Sequence, residues 1–381
     1  MIVDFYTNLA PHYRAGLWRN LLEANSLEAH FLCGKEPQNS IKQIDFAEET
    51  WSKYASRIHF LKNLRVKRLL VWQKGSLSRA LKSPAQIVVL LDQMYILSNW
   101  LVLLVSRLRG RKIAFWGHGI YGSETGLKRW IRMFYLKRAD LVFVYGPHAK
   151  SLLLKAGIPE TRLECVYNSL DYERHCELRC SVLDPDFYQT AGFFSDRTRP
   201  TLIFVGRLTP QKNLPAIIDA VDSLQSSSTP ANLLFVGSGP EEETLKHAAS
   251  RLPGSVHFYG PCYDEQLLGK LIANADLCVS PGEVGLTAIH CLSFGTPVCT
   301  HGDMTRQMPE ADALTAGLTG VFYDYSQMNL AEAIANWFSS CPERETIRSA
   351  CYATIDSKYN PRHQVEVFSR AFANLVGTDD A

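Results

Sequence analysis

The stretch that decides the fold is TLIFVGRLTPQKNLPAIIDAV, residues 201–221. Its first five residues predict a buried strand that ends at Val205, and Gly206 allows a tight turn after it. A helix follows a few residues later. Arg207 and Lys212 lie on the loop between strand and helix, where a planar guanidinium and a point charge suit a diphosphate. This order predicts one unit of a parallel α/β sheet with an anion site at its carboxyl edge.

The same alternation of short apolar runs and longer amphipathic runs recurs along the chain and predicts two α/β domains. In the first half, the predicted strands are 1–6, 28–33, 68–72, 87–91, 112–116, 141–145 and 163–167. In the second half, they are 201–205, 232–236, 255–259, 276–280, 297–300 and 320–323. We expect two Rossmann-like domains with mostly parallel sheets facing a shared cleft. Their predicted bounds are an N-terminal domain at 1–172, an interdomain linker at 173–200, a C-terminal domain at 201–360, and a helix within 361–381 that packs back on the first domain.

One apolar stretch, residues 87–105, is long enough to suggest a transmembrane helix. Asp92, Gln93 and Asn99 interrupt it, and a charge at the centre of a bilayer is costly. The pattern therefore favours a buried strand over 87–91, a turn at Asp92, and a buried helix from about residue 94.

The net charge of +2 hides an asymmetry between the two halves. Residues 51–150 contain 19 Lys and Arg against 3 Asp and Glu, whereas residues 151–381 contain 17 against 28. In the first region the cations alternate with aromatic and aliphatic residues, as in GLKRWIRMFYLKRAD (126–140). That mixture suits an anionic membrane surface, although a solvated basic face would show the same charge. With no nucleic-acid-binding motif in the sequence, we expect no nucleic-acid partner.

The ten cysteines are scattered and mostly lie in apolar contexts, which is typical of buried thiols in a reducing compartment. Their spacing gives no zinc motif, so we expect no metal site. The N-terminal residues lack the basic region and cleavage site of a signal peptide. We therefore expect a cytoplasmic protein.

Two further turns resemble parts of a nucleotide site. In LLFVGSGPEEETL (233–245), Gly237 follows a strand and opens a helix, but the third glycine of a dinucleotide fingerprint is absent. Farther along, Gly260 ends a strand, and the backbone from Tyr259 to Tyr263 is placed to border a flat base. In PGEVGLTAIH (281–290), the loop runs directly into a helix, so the free amides of its first turn point toward an anion. These amides are Gly285, Leu286 and Thr287, and the Thr287 hydroxyl lies beside them.

These motifs together resemble the GT-B fold glycosyltransferases, specifically the large retaining family 4 (glycosyl transferases group 1). The resemblance is dense over residues 201–325, in GRLTPQKN, FVGSGPEEETL, HFYGP, ADLCVSP and GTPV. It is thinner in GHG (117–119), RADLVFVYGPHAKSLL (138–153) and VYNSLDY (166–172), and residues 1–111 match only in pattern.

The resemblance implies a nucleotide-sugar donor whose diphosphate is held by Arg207, Lys212 and the helix amides. It implies no metal, since the two cations replace one. The DPD at 184–186 resembles a metal-binding motif but falls in the predicted linker. His118 follows a strand of the first domain, and in relatives a histidine there contacts the donor sugar.

The chain departs from the family at the E-x7-E motif, whose first glutamate addresses the sugar and whose second binds the ribose hydroxyls. Alignment on Gly295 puts Gly282 and His290 at these positions, with Glu283 one residue after the first. His290 can still hydrogen-bond a ribose hydroxyl. Glu283 can substitute for the first glutamate, or Gly282 lets the backbone approach the sugar. Loss of activity is the rival explanation, but Arg207 and Lys212 are retained.

Two segments of the first domain are candidates for the acceptor site. The loop NLAPHYRAGLWRNLL (8–22) carries a cluster of side chains where the family has a glycine-rich loop. Its candidate residues are His12, Tyr13, Arg14 and Gly16. In GHGIYGSETG (117–126), Tyr121 and Glu124 are the candidates for closing over the acceptor.

The sequence therefore predicts a retaining, metal-independent glycosyltransferase that transfers a sugar to a hydroxyl of a lipid-linked glycan. The basic, aromatic first domain places it peripherally on the inner face of the cytoplasmic membrane, in surface-polysaccharide, capsule or lipopolysaccharide assembly. A sugar-nucleotide epimerase of the same fold is one alternative, but it would need cleft carboxylates that the sequence does not show. A catalytically inactive partner protein is the other.

Overall fold

The computed structural model describes residues 1–34, 42–66, 70–120, 124–324 and 329–377. The chain divides into two compact units. The first comprises Met1–Asp171 and Asn360–Ala381, and the second comprises Tyr172–Tyr359. The C-terminal helix thus belongs to the first unit.

The first unit is built on a sheet of eight strands. They are β1 Ile2–Thr7, β2 Glu28–Gly34, β3 Ile58–Arg65, β4 Val71–Lys74, β5 Ile87–Leu91, β6 Lys112–Gly117, β7 Leu141–Val144 and β8 Leu163–Cys165. Their order in the sheet is β4-β3-β2-β1-β5-β6-β7-β8. Only the β3–β4 pair is antiparallel among the described strands. Five helices of this unit are α1 Ala15–Glu23, α2 Ser76–Lys82, α3 Leu97–Leu108, α4 Gly126–Leu136 and α5 Pro147–Lys155.

The apolar run at 87–105 forms β5 and α3, as the sequence predicts. Successive residues of β5 pack into different hydrophobic cores. Val89 lies in the core on one face of the sheet, and Val88 lies in the core on the other face. A strand covered on both faces needs a continuous apolar sequence, and this explains the apolar residues at 87–91. Among the described residues, no helix has both the length and the hydropathy that a membrane span requires.

The second unit is built on a six-stranded sheet whose described strand pairs are all parallel. The strands are β9 Thr201–Val205, β10 Asn232–Val236, β11 Val256–Gly260, β12 Leu277–Ser280, β13 Val298–His301 and β14 Gly320–Tyr323, in the order β11-β10-β9-β12-β13-β14. The helices are α6 Tyr172–Leu178, α7 Phe187–Thr190, α8 Pro215–Gln225, α9 Glu242–Ala249, α10 Glu265–Ala273, α11 Leu286–Ser293, α12 Leu330–Ser340 and α13 Arg344–Lys358. Two mostly parallel α/β sheets confirm the predicted fold class.

The stretch 173–200, expected to be a linker, lies within the second unit instead. It contains α6 and α7 and packs against the helix that precedes β12. Tyr188 is buried there and donates its hydroxyl to the carbonyl of Leu271 at 2.6 Å. The Asn274 amide donates to the carbonyl of Val182 at 2.9 Å. These buried contacts give the segment a fixed place in the unit despite its irregular sequence.

The last helix, α14 Pro361–Gly377, fills one core of the first unit. Phe368 is fully buried, and its ring lies 5.8 Å from that of Phe5 and 4.5 Å from that of Phe143. The ring of Trp116 lies 5.4 Å away. The helix therefore covers a sheet face that would otherwise be exposed.

Candidate functional site

Three strands of the second unit end in loops whose backbones lie against one another. The Gly206 amide donates to the carbonyl of Val236 at 3.0 Å, and the Gly237 amide donates to that of Gly260 at 2.9 Å. A Cβ on Gly237 would lie 1.8 Å from the Gly206 oxygen. Only glycine permits this approach, so the turns after β9, β10 and β11 form one continuous ledge at the carboxyl edge of the sheet.

Lys212 reaches from the loop after β9 to the loop after β12. Its Nζ donates to the carbonyl oxygen of Glu283 at 2.5 Å, and the Gly282 amide donates back to the Lys212 carbonyl at 3.0 Å. Burial lowers the pKa of the Lys212 amine, while the carboxylates of Glu283 and Glu310 act in the opposite direction. Arg207 stays exposed on the same loop.

Gly282 has a packing role that its sequence did not reveal. A Cβ at this position would lie 2.2 Å from the carbonyl oxygen of Gln211 and 2.7 Å from the Cα of Lys212. The close approach at Gly282 is thus between two protein loops, and a glutamate could not replace it on this backbone. Glu283 remains as the adjacent carboxylate.

Helix α11 begins beside Lys212. Gly285 precedes it with φ +58°, and a Cβ placed there would lie 4.0 Å from the Lys212 Nζ. The first amides of a helix have no acceptor within it, which leaves those of Leu286 and Thr287 directed outward. The Thr287 hydroxyl donates to the carbonyl of Val205 at 3.0 Å. Its proton is therefore engaged within the protein, and the amides are the available donors at this helix end.

The two tyrosines predicted to border a base have different surroundings. Tyr263 is 83% exposed. Tyr259 lies on β11, with its ring edge-on to Phe193 at 6.0 Å. Phe193 lies in the segment expected to be a linker, so the sequence analysis did not include it.

His290 is engaged by a carboxylate that the sequence analysis missed. Its Nε2 lies 3.1 Å from Glu265 Oε2, and the Nε2 of His175 lies 3.1 Å from the same oxygen. Burial acts to raise the pKa of Glu265, but hydrogen bonds and charge from the two imidazoles hold it well below its ordinary range. Positions 175, 265 and 290 are far apart in sequence, and no spacing rule would have joined them.

In the first unit, His118 and Arg14 come together around Tyr145. Arg14 donates to the Tyr145 hydroxyl at 2.5 Å, and its guanidinium lies 4.4 Å from the ring centroid of Trp116. The His118 ring lies 5.0 Å from that of Tyr145. The predicted sugar-contacting histidine and one predicted acceptor residue therefore share a neighbour at the carboxyl end of β6.

A buried carboxyl lies beneath the glycine loop after β6. Asp92 accepts the Gly119 amide at 2.6 Å, and burial raises its pKa to about 6. Burial, together with the charges of Arg14 and Arg132, lowers the pKa of His118 to about 4. The imidazole is therefore neutral at pH 7 and can act as a hydrogen-bonding group without a positive charge.

The remaining predicted acceptor residues are not all placed for binding. Gly16 lies inside α1, where a Cβ would make van der Waals contact with Pro361 of α14 at 3.4 Å. The Glu124 carboxylate is buried and paired with Arg132, with Nε 2.8 Å from Oε2. His12 is exposed and contacts Tyr13 edge-on at 6.1 Å. Tyr121 lies outside the described residues.

Comparison with known proteins finds a family that resembles most of the second unit. Residues 190–353 match the family model Glycosyl transferases group 1. The matched segment makes up less than half of the chain. The match covers nearly all of the second unit, including the ledge, Lys212 and α11.

Two curated relatives align with about half of this chain. A GDP-mannose-dependent alpha-(1-6)-phosphatidylinositol dimannoside mannosyltransferase of Mycobacterium tuberculosis is 30% identical over 186 residues, 48% of this chain and 44% of that protein. Glycogen synthase 2 of Nitrosococcus oceani is 28% identical over 199 residues, 47% of this chain and 37% of that protein. The aligned region thus spans less than half of either relative.

Solved structures match over nearly the whole chain. Anabaena HepE in complex with UDP has a TM-score of 0.68 at 16% identity, covering 98% of this chain and 100% of that one. The lipopolysaccharide outer core galactosyltransferase WaaB in its apo form has a TM-score of 0.66 at 16% identity, covering 98% and 99%. These likenesses establish the GT-B fold.

Proposed function

We propose that the protein is a retaining glycosyltransferase that moves a sugar from a nucleotide-diphosphate donor to a hydroxyl of a lipid-linked glycan. The observation that carries this proposal is the meeting of the Lys212 amine with the first amides of α11, inside a glycosyl transferases group 1 domain. A cation and a helix N-terminus at the carboxyl edge of a parallel sheet form a site for phosphate groups.

The chemistry proposed for this site is stabilisation of the departing diphosphate. Lys212, Arg207 and the amides of Leu286 and Thr287 supply positive charge and hydrogen-bond donors where negative charge develops. The sugar–phosphate bond breaks as the acceptor hydroxyl attacks from the same face and passes its proton to the departing diphosphate oxygen, so the configuration at the sugar carbon is retained. These cations occupy the role that a metal ion plays in other diphosphate sites, and the transfer is proposed to need none.

The first unit is proposed to bind the acceptor and an anionic membrane. On α4, Leu127 is 71% exposed and Trp130 63% exposed, next to Lys128 and Arg129. An apolar, cationic helix face of this kind suits the interface of an anionic bilayer. A lipid acceptor also appears in the name of the mannosyltransferase relative, which acts on a phosphatidylinositol dimannoside.

The proposal predicts donor-dependent transfer that is lost with either cation. The full chain is incubated with UDP-, GDP- and dTDP-sugars and with lipid-linked glycans, and the products are identified by mass spectrometry and NMR. We expect one donor to be consumed with a retained linkage. Lys212→Ala and Arg207→Ala should each lower the rate about 10²- to 10³-fold, the loss typical of removing one charge-stabilising group.

Lys246→Ala is the matched control, because Lys246 lies on α9 and pairs there with the carboxylates of Glu242 and Glu243 on the same helix. Its rate should equal that of the unaltered protein. An epimerised or hydrolysed donor without acceptor would favour the epimerase alternative. Unchanged turnover in Lys212→Ala and Arg207→Ala would contradict the leaving-group assignment.

A further inference from the structure

Three side chains of types that can ligate a metal converge in the second unit from three separate helices. His175 lies on α6, Glu265 is the first residue of α10, and His290 lies on α11. The two imidazole Nε2 atoms and the Glu265 oxygen all lie within 4.8 Å of one another. No other group of three or more such side chains is found among the residues that the structure describes.

The two histidine–carboxylate distances fit a shared ion. Each Nε2 lies 3.1 Å from Glu265 Oε2. Two ligands at about 2.0–2.2 Å from a shared ion lie roughly 3.0–3.5 Å apart for bond angles between octahedral and tetrahedral. The two histidine–carboxylate distances are therefore already those of ligands to one ion, and the two Nε2 atoms lie within 4.8 Å of each other.

The rings are held in position before any ion binds. The imidazoles of His175 and His290 are stacked, with centroids 5.0 Å apart and planes 13° from parallel. Phe294 lies against both, at 5.0 Å from the His175 ring and 5.7 Å from the His290 ring. His175 is only 1% exposed, so its side chain has little freedom to turn away.

The cluster is also open on one side. The side chain of Glu265 is 38% exposed and that of His290 is 15% exposed, in contrast to the buried His175. This gives an ion a path of entry and leaves coordination positions for water or a ligand. Three protein ligands with an open position are typical of reactive rather than purely structural metal sites.

We propose that His175, Glu265 and His290 bind a divalent transition-metal ion of the Zn²⁺ class. Two imidazole nitrogens and one carboxylate oxygen favour such an ion over Mg²⁺ or Ca²⁺, which prefer oxygen ligands. His290 lies three residues after Thr287, so the ion would be about one helical turn from the outward amides of α11. The site does not depend on the proposed transfer, which needs no metal.

The test is direct metal binding by the full chain without nucleotide. The protein is freed of its purification tag, stripped with a chelator and titrated with Zn²⁺ by calorimetry and with Co²⁺ by visible absorption. We expect one ion per chain, visible bands characteristic of nitrogen and oxygen ligands, and no comparable binding of Mg²⁺. Glu265→Gln and His290→Gln should each weaken binding at least tenfold.

His247→Gln is the matched control, since His247 is an exposed histidine on α9 of the same unit. Circular dichroism and urea unfolding verify that each variant is folded. Absence of binding by the unaltered protein would overturn the proposal, as would equal affinity in all three variants. Weaker nucleotide binding in His290→Gln, without metal binding by the unaltered protein, would assign the cluster to the nucleotide instead. Failure of the transfer assay leaves the metal titration unaffected, so the two proposals fail separately.

Discussion

At the scale of single residues, the packing at Gly282 gives a reason why a glutamate is absent where the family that the chain resembles has one. The loop after β9 passes so close that the Gly282 amide donates to the Lys212 carbonyl. A side chain there would push away the residue whose amine is proposed to hold the diphosphate. The missing glutamate is therefore part of how this backbone places Lys212, and its absence alone does not indicate a degenerate site.

Gly282→Ala should destabilise the second unit. The new Cβ would lie 2.2 Å from the Gln211 oxygen, and overpacking of this kind typically costs about 1–3 kcal/mol in the free energy of unfolding. Urea denaturation measures this change. Gly302→Ala is the control, because its Cβ would lie 3.8 Å from its nearest neighbours, Phe322 and Tyr323. Equal unfolding free energies for the two variants would contradict the close approach.

The pair of His118 and Asp92 predicts compensating effects of pH on stability. With its pKa lowered to about 4, folded His118 stays neutral while the unfolded imidazole, near 6.5, takes up a proton. Its contribution to stability is therefore lost as the pH falls from 6.5 to 4. With its pKa raised to about 6, folded Asp92 takes up a proton that the unfolded carboxyl does not. Its contribution grows as the pH falls over nearly the same window.

Asp92→Asn should expose the effect of His118. Between pH 7 and pH 4.5, we expect the free energy of unfolding of this variant to fall by about 2 kcal/mol more than that of the unaltered protein. His118→Asn should show the opposite change, since it leaves only Asp92. Urea unfolding at the two pH values gives both numbers. Parallel pH profiles for all three proteins would show that neither pKa is displaced.

At the scale of helices and strands, the sequence predicts the parallel sheets well because their strands are buried on both faces. Such strands have uninterrupted apolar sequences, and the fully buried strands β5, β9 and β10 match their predicted bounds, as does the partly buried β14. The strand β3 was missed because only Ile58 and Leu61 are buried in it and its other residues include cations. The segment 173–200 was misread as a linker because its contacts are made by isolated residues, Tyr188 among them.

The candidate site was predictable where local sequence determines the backbone. The sequence near each feature determines a glycine after a strand and a helix that begins at Leu286. The structure has both. The partner of His290 was not predictable, because Glu265 reaches it only through the packing of α10 beside α11. The partner of Glu124 was not predicted either. Its carboxylate forms an ion pair with Arg132, eight residues later.

Helix α14 should be required for the stability of the first unit. Phe368 lies in a cluster of aromatic rings from three strands, and Phe→Ala in a core typically costs about 3–5 kcal/mol. We expect Phe368→Ala to lower the free energy of unfolding by this amount. Asn374→Ala, at an exposed position of the same helix, should change it little. Thermal and urea unfolding check both, and similar losses for the two variants would contradict the role assigned to α14.

At the scale of the whole molecule, charge is distributed unevenly between regions of the chain. Residues 51–150 carry a net charge of +16, and residues 151–381 carry −11. The cations of the first region accompany exposed apolar side chains on α3 and α4, including Leu104 at 52% and Leu108 at 79% exposure. In the proposed membrane association, charge attracts the protein to an anionic bilayer, and the apolar side chains then lower the free energy by leaving water.

The whole protein should therefore bind anionic vesicles through the first unit. In co-sedimentation, we expect retention on vesicles containing phosphatidylglycerol, weak binding to pure phosphatidylcholine, and release as salt shortens the Debye length below about 10 Å. Leu127→Ala with Trp130→Ala should weaken binding roughly tenfold or more, since each side chain contributes on the order of 1.5–3 kcal/mol when it leaves water.

Leu183→Ala, at an exposed apolar residue of the second unit, serves as the control. Equal binding by the double variant and the control would show that α4 does not contact the bilayer. Binding that persists on neutral vesicles at high salt would show that the basic charge of the first region does not attract the protein to the membrane.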